Sequence, residues 1–73
     1  MKSKLIFIIN QVLTGKGNSE ITDISSSTNL RTDLGFDSFD LAELTVRIEE
    51  EFGIDIFQNG IVNEYGDIEK LLN

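Results

Sequence analysis

Ser38 sits in Gly35-Phe36-Asp37-Ser38-Phe39, a stretch with the look of the strained elbow that presents a nucleophilic hydroxyl. Acyl transfer at a serine needs a base to take its proton, and the chain has no histidine. The second glycine of G-x-S-x-G is also missing. Without cysteine there is no thiolate nucleophile and no thiolate metal site. Carboxylates are abundant, so calcium is the next chemistry to test. An EF-hand loop starting at Asp55 would place Asn59 and Gly60 well, but Phe57 at position 3 and Gly66 at position 12 cannot ligate. Starting at Asp33 puts Leu44 at position 12, so that frame fails too. No metal site is expected. A glycosidase pair of opposed acids needs a sugar cleft, for which 73 residues are too few. Ser38 is then best considered as a point of attachment. A serine in the first turn of a helix holds its hydroxyl beside backbone N–H groups that lack intrahelical partners. Those donors and the helix dipole favour a phosphate ester there by about 0.3–1 kcal/mol. Asp37 and Asp40 oppose such an anion, so they need another purpose, such as meeting a basic partner or a metal held by a modifying enzyme. From spacing alone, an ordinary helix-start serine is the plainer reading.

The element that must position Ser38 is the strongest helix signal in the chain, over residues 38–52. Asp37 is a good N-cap and Asp40 fills the acidic N3 place of a capping box. Leu41, Leu44, Ile48 and Phe52 form its core stripe, and Gly53 stands where a left-handed C-cap is wanted. A thinner stripe of Phe39, Ala42 and Val46 lies beside the first and need not be buried with it. Upstream, Leu5, Ile8, Ile9, Val12 and Leu13 give one helical stripe over residues 3–14, stopped by Gly15 and Gly17. The polar segment from Gly15 to Phe36 is long for a loop, but Ile21, Ile24, Leu30, Leu34 and Phe36 can pin it across the core. Downstream, Gly60 to Tyr65 fits one or two turns with Ile61, Val62 and Tyr65 inward. Gly66-Asp67 then offers a break and an N-cap for a last helix whose Ile68, Leu71 and Leu72 face the core. The expected fold is all-α: one domain over residues 1–73, a small four-helix bundle of three main helices and one short one, with a long loop between the first two helices.

Composition narrows the function. Hydrophobic residues at 40% suffice for one compact core and are too many for a disordered chain. Thirteen acidic against six basic residues give a net charge of −7, which repels nucleic acid and anionic membranes and suits partners with basic patches. Lys2 and Lys4 before Leu5–Ile9 imitate the start of a signal peptide, but Asn10 and Gln11 interrupt the apolar run too early. No stretch approaches the ~20 apolar residues of a membrane span. A cytoplasmic monomer is expected.

The stretch Asp33-Leu34-Gly35-Phe36-Asp37-Ser38-Phe39-Asp40-Leu41-Ala42-Glu43-Leu44, followed by Ile48-Glu49-Glu50-Glu51-Phe52-Gly53-Ile54-Asp55-Ile56, resembles the acyl carrier protein family. That family's signature is a D-S pair at the head of a helix that ends in E-E-x-F-G-I-x-I. The resemblance implies that Ser38 receives 4′-phosphopantetheine as a phosphodiester, donated by coenzyme A through a separate magnesium-dependent phosphopantetheinyl transferase. It implies that the arm's thiol holds an acyl group as a thioester, in fatty-acid, polyketide or related biosynthesis, and that the chain itself is no enzyme. It further implies that this helix is the recognition surface. Asp37, Asp40, Glu43, Glu49 and Glu50 would meet basic patches on acyl-transferring or synthase enzymes, with Phe39, Ala42 and Val46 as a small apolar contact. Eight of the thirteen acids lie within residues 33–55, where Arg47 is the only base; that concentration favours recognition over mere solubility. Phe39 after the serine, where leucine is commoner, Phe57 in place of a proline and the interrupting Arg47 leave the attachment chemistry intact but open the choice of pathway, and two alternatives stand. One is a carrier of activated amino acids, D-alanyl or peptidyl, on the same serine. The other is an acidic interaction module with no prosthetic group.

Overall fold

In the computed structural model, which describes residues 2–58, 60 and 62–72, the fold is all-helical. Three helices are present among the described residues: α1 (Lys2–Gly15), α2 (Ser38–Phe52) and α3 (Tyr65–Leu72). The expected stripe of α1, Leu5, Ile8, Ile9, Val12 and Leu13, is buried, and it packs against Leu41, Leu44 and Ile48 of α2. Tyr65 and Ile68 close the core from α3.

The long connection between α1 and α2 is fixed by both apolar and polar anchors. Ile24, Leu30 and Phe36 are buried, while Ile21 and Leu34 pack partly buried against the core, as the pinned loop requires. Asn10, which breaks the apolar run of α1, has a purpose here. Its Nδ2 donates to the Ile21 carbonyl at 2.9 Å and its Oδ1 accepts from the Ile21 N–H at 2.8 Å, so one side chain satisfies both backbone groups of a loop residue. Further along, the Leu30 N–H donates to the Asn63 carbonyl (2.8 Å) and the Tyr65 N–H to the Thr28 carbonyl (2.9 Å), around an isolated antiparallel bridge of Asn29 and Glu64. The Gly66 N–H reaches the Ser26 carbonyl at 2.8 Å, and a Cβ at Gly66 would stand only 2.7 Å from that oxygen. Glycine is the residue that permits this approach.

Three expectations change in the C-terminal third. The short helix over Gly60 to Tyr65 is not found among the described residues: Gly60 is a bend, Val62 and Asn63 are irregular, and Glu64 pairs with Asn29. Ile61 lies outside the described residues. The Asn63 carbonyl and the Tyr65 N–H bond across to Leu30 and Thr28 of the long loop instead of along a helix. The last helix also begins earlier than Asp67, at Tyr65. Asp67 is the third helical residue, and its Oδ2 accepts from the N–H groups of Asn63 (3.2 Å) and Glu64 (3.0 Å), reaching back over the helix start. Those bonds hold its carboxyl below the ordinary carboxylate range. Finally, Leu71 is 38% exposed, while Ile68 is buried and Leu72 partly buried, so the inward face of α3 is narrower than its apolar content.

Candidate functional site

Ser38 is the first residue of α2 and is exposed. Two local devices set its position. Gly35 takes a φ of 74°, in the left-handed region that glycine tolerates, and the Phe36 N–H then bonds the Leu30 carbonyl at 3.0 Å as its ring is buried. Asp37 caps the helix. Its Oδ1 accepts from the Asp40 N–H (2.9 Å), and Asp40 Oδ2 accepts in return from the Asp37 N–H (2.9 Å), the expected capping box. At the other end Gly53, at φ 74°, donates its N–H to the Glu49 carbonyl at 2.7 Å and ends the helix as the sequence predicts.

The two carboxylates flanking Ser38 differ in surroundings. Asp37 is exposed. Asp40 is half-buried and also accepts from Lys16 Nζ at 2.6 Å, while the same ammonium donates to the Gly35 carbonyl at 2.6 Å. Lys16 lies 5.9 Å from the centroid of the Phe36 ring as well. The Lys16 bond, followed by the Asp37 N–H, holds the Asp40 carboxyl below the ordinary carboxylate range. Asp40 is therefore engaged internally on the side that Lys16 covers. Lys16 was not singled out from the sequence: it lies 24 residues from Asp40, and local spacing carries no trace of the pair.

The remaining predicted recognition residues line the outer side of α2. Phe39 is 86% exposed and Val46 53%, with Ala42 exposed between them. Glu43, Glu49 and Glu50 are exposed too. Arg47, which interrupts the acidic run, is turned aside: Nε donates to Glu43 Oε2 at 2.8 Å and Nη1 to Gln11 Oε1 on α1 at 3.1 Å. On its other flank Ser38 opens into a groove of about 420 Å³ lined by Leu41, Ala42, Thr45 and Phe57, with Arg31 and Asp55 as its charged members. This groove also went unread in the sequence, because Arg31 and Phe57 come to Ser38 from two different connections.

Ser38 thus displays its hydroxyl at a helix start, between an acidic ridge and an apolar groove. The family model of the phosphopantetheine attachment site matches residues 8–73, and the chain belongs to that family, the acyl carrier proteins. It is 41% identical over 56 residues to the mitochondrial acyl carrier protein of Saccharomyces cerevisiae, across 77% of this chain and 45% of the relative. The chain thus spans a little under half the length of that curated relative. No solved structure matches significantly. Proteins of this family carry 4′-phosphopantetheine covalently.

The residues present fit that group. Ser38 is open to solvent, the N–H groups of Ser38 and Phe39 have no hydrogen-bond partner among the described residues, and the adjacent groove is apolar enough to lie against an alkyl amide chain.

Proposed function

We propose that this chain is an acyl carrier whose Ser38 Oγ forms the phosphodiester to 4′-phosphopantetheine, delivered from coenzyme A by a separate transferase. When bound, the group supplies a terminal thiol that holds acyl cargo as a thioester. The observation that supports this reading most directly is the exposure of Ser38 as the first residue of α2, within the span matched by the attachment-site family. Chain residues do the positioning. Asp37 and Asp40 fix the helix start through their reciprocal cap, and Lys16 compensates Asp40, the more buried of the two. Phe36, buried under the turn, prevents the Gly35–Asp37 segment from swinging away. Glu43, Glu49 and Glu50, with Asp37, offer charge to basic partner enzymes, and Phe39, Ala42 and Val46 offer an apolar contact at their centre. Fatty-acid, polyketide or related acyl biosynthesis is the proposed setting, and the name of the yeast relative favours acyl over aminoacyl cargo. Cytoplasmic residence belongs to the same proposal.

The test is intact mass spectrometry after incubation with coenzyme A, magnesium and a broad-specificity phosphopantetheinyl transferase. Wild type gains one phosphopantetheine and Ser38→Ala gains none. An unmodified wild type, or a modified Ser38→Ala, contradicts the reading.

A further inference from the structure

The charges around Ser38 are unfavourable to a phosphodiester. Asp37 is adjacent and exposed, and Asp55 lines the same groove. Lys16 is no remedy, since its ammonium is held by Asp40 and the Gly35 carbonyl. One cation lines the groove beside the serine, and it is Arg31. Among the described residues its guanidinium forms no ion pair, whereas Lys2, Lys4, Lys16 and Arg47 each have a carboxylate partner, and Lys70, also without an ion pair there, lies on α3 and lines no part of this groove. Asp55, the acid that shares this groove, accepts at Oδ1 from the Phe57 N–H at 2.9 Å.

The backbone beneath Arg31 is unusually well tied for a loop. Asn29 Oδ1 accepts from the N–H groups of Arg31 and Thr32, both at 2.9 Å, and Asp33 Oδ2 accepts from the Asn29 N–H at 2.7 Å. Leu30, the preceding residue, is fully buried and bonded to Asn63 and Phe36. An arginine on so fixed a base loses less freedom on engaging an anion than one on a mobile loop, and its planar donors match phosphate oxygens.

We propose that Arg31 is the chain's own counter-charge for the phosphodiester on Ser38, pairing with its anionic oxygens and holding the first part of the arm along the Leu41–Phe57 groove. Arg31 is a positioning residue; it takes no part in transfer chemistry. The inference rests on Ser38 being the attachment point, so its test separates the two. Unmodified and modified forms of wild type, Arg31→Gln and Arg31→Lys are prepared, and modification is confirmed by mass. Melting temperatures of all six are then compared at low salt and at 0.5 M salt. If Arg31 pairs with the phosphodiester, modification lowers the melting temperature of Arg31→Gln by about 2–5 °C more than that of wild type at low salt. That difference shrinks at high salt, where exposed charges are screened, and Arg31→Lys restores part of it. The ³¹P resonance of the modified protein shifts in Arg31→Gln as well. Equal melting changes and an unmoved ³¹P resonance, with mass gain intact, overturn the role of Arg31 and leave the attachment reading standing. Absence of mass gain in wild type overturns both.

Discussion

Single side chains settle how Ser38 is held. The Lys16–Asp40 pair joins the end of α1 to the start of α2, and its consequence for pH follows from the direction of the Asp40 shift. The folded state lowers that carboxyl, so it binds fewer protons than the unfolded chain just below the ordinary value of 3.8. The resulting stability is present above that value and is lost as pH falls through the lowered one. Lys16→Met is accordingly less stable than wild type at pH 7, by about 1 kcal/mol for a pair of this exposure. The gap narrows near pH 2, a comparison that urea unfolding at the two pH values measures. Tyr65 behaves in the opposite sense. Its side chain is fully buried, its hydroxyl closes no hydrogen bond, and burial, helped by the nearby Glu69 carboxylate, pushes its pKa up to about 12. Glu69 acts on it as a charge, since no donor–acceptor geometry links the two. A raised phenol means that stability is whole below pH 10 and declines as pH rises from 10 toward 12. Tyr65→Phe removes an unsatisfied buried group, so it is expected to match or exceed wild type at pH 7 and to lose this alkaline decline.

Helices differ in how openly their sequences announce them. In α2 every signal is local: Asp37 and Asp40 cap it, Gly53 ends it, and the apolar residues recur at helical spacing, so residues 38–52 were readable without the rest of the chain. Leu44, fully buried at its centre, tests the stripe. Leu44→Ala should cost about 2–5 kcal/mol, against the roughly 3–5 kcal/mol that a domain of this size commonly has. Thermal unfolding by circular dichroism will then show a broad, low transition or none. The C-terminal third was harder to read because its organisation is long-range. Gly66-Asp67 has the composition of a break and a cap, yet the carboxylate reaches backward to Asn63 and Glu64 from inside the helix. The Gly60–Tyr65 segment has enough apolar residues for a turn of helix, but its Asn63 carbonyl and Tyr65 N–H pair with Leu30 and Thr28, which no local pattern reveals. For the same reason the serine and the acidic ridge were legible, while Lys16 and Arg31 were not. Their relation to Ser38 exists only once the long loop has folded over the core.

At the scale of the whole molecule, charge is divided by location. Lys16, Arg47 and Lys4 pair with Asp40, Glu43 and Glu51 of α2, which leaves Asp37, Glu49 and Glu50 exposed and without an ion pair among the described residues, on the helix that also displays Phe39, Ala42 and Val46. Such a surface speeds encounter with a basic enzyme at low salt and loses that advantage as salt rises. Reversing two exposed charges, Glu43→Lys with Glu50→Lys, should slow modification of Ser38 on the order of 10-fold or more without changing helicity; kinetics of mass gain together with circular dichroism check both parts. The proposed carrier role depends on one oxygen, and the tryptic fragment that contains it isolates that oxygen well. Cleavage after Arg31 and Arg47 releases residues 32–47, in which Thr32, Ser38 and Thr45 carry the only aliphatic hydroxyls. Fragmentation mass spectrometry of this peptide from the modified protein should place the phosphopantetheine on Ser38. Its location on either threonine, or on any other peptide, would contradict the account.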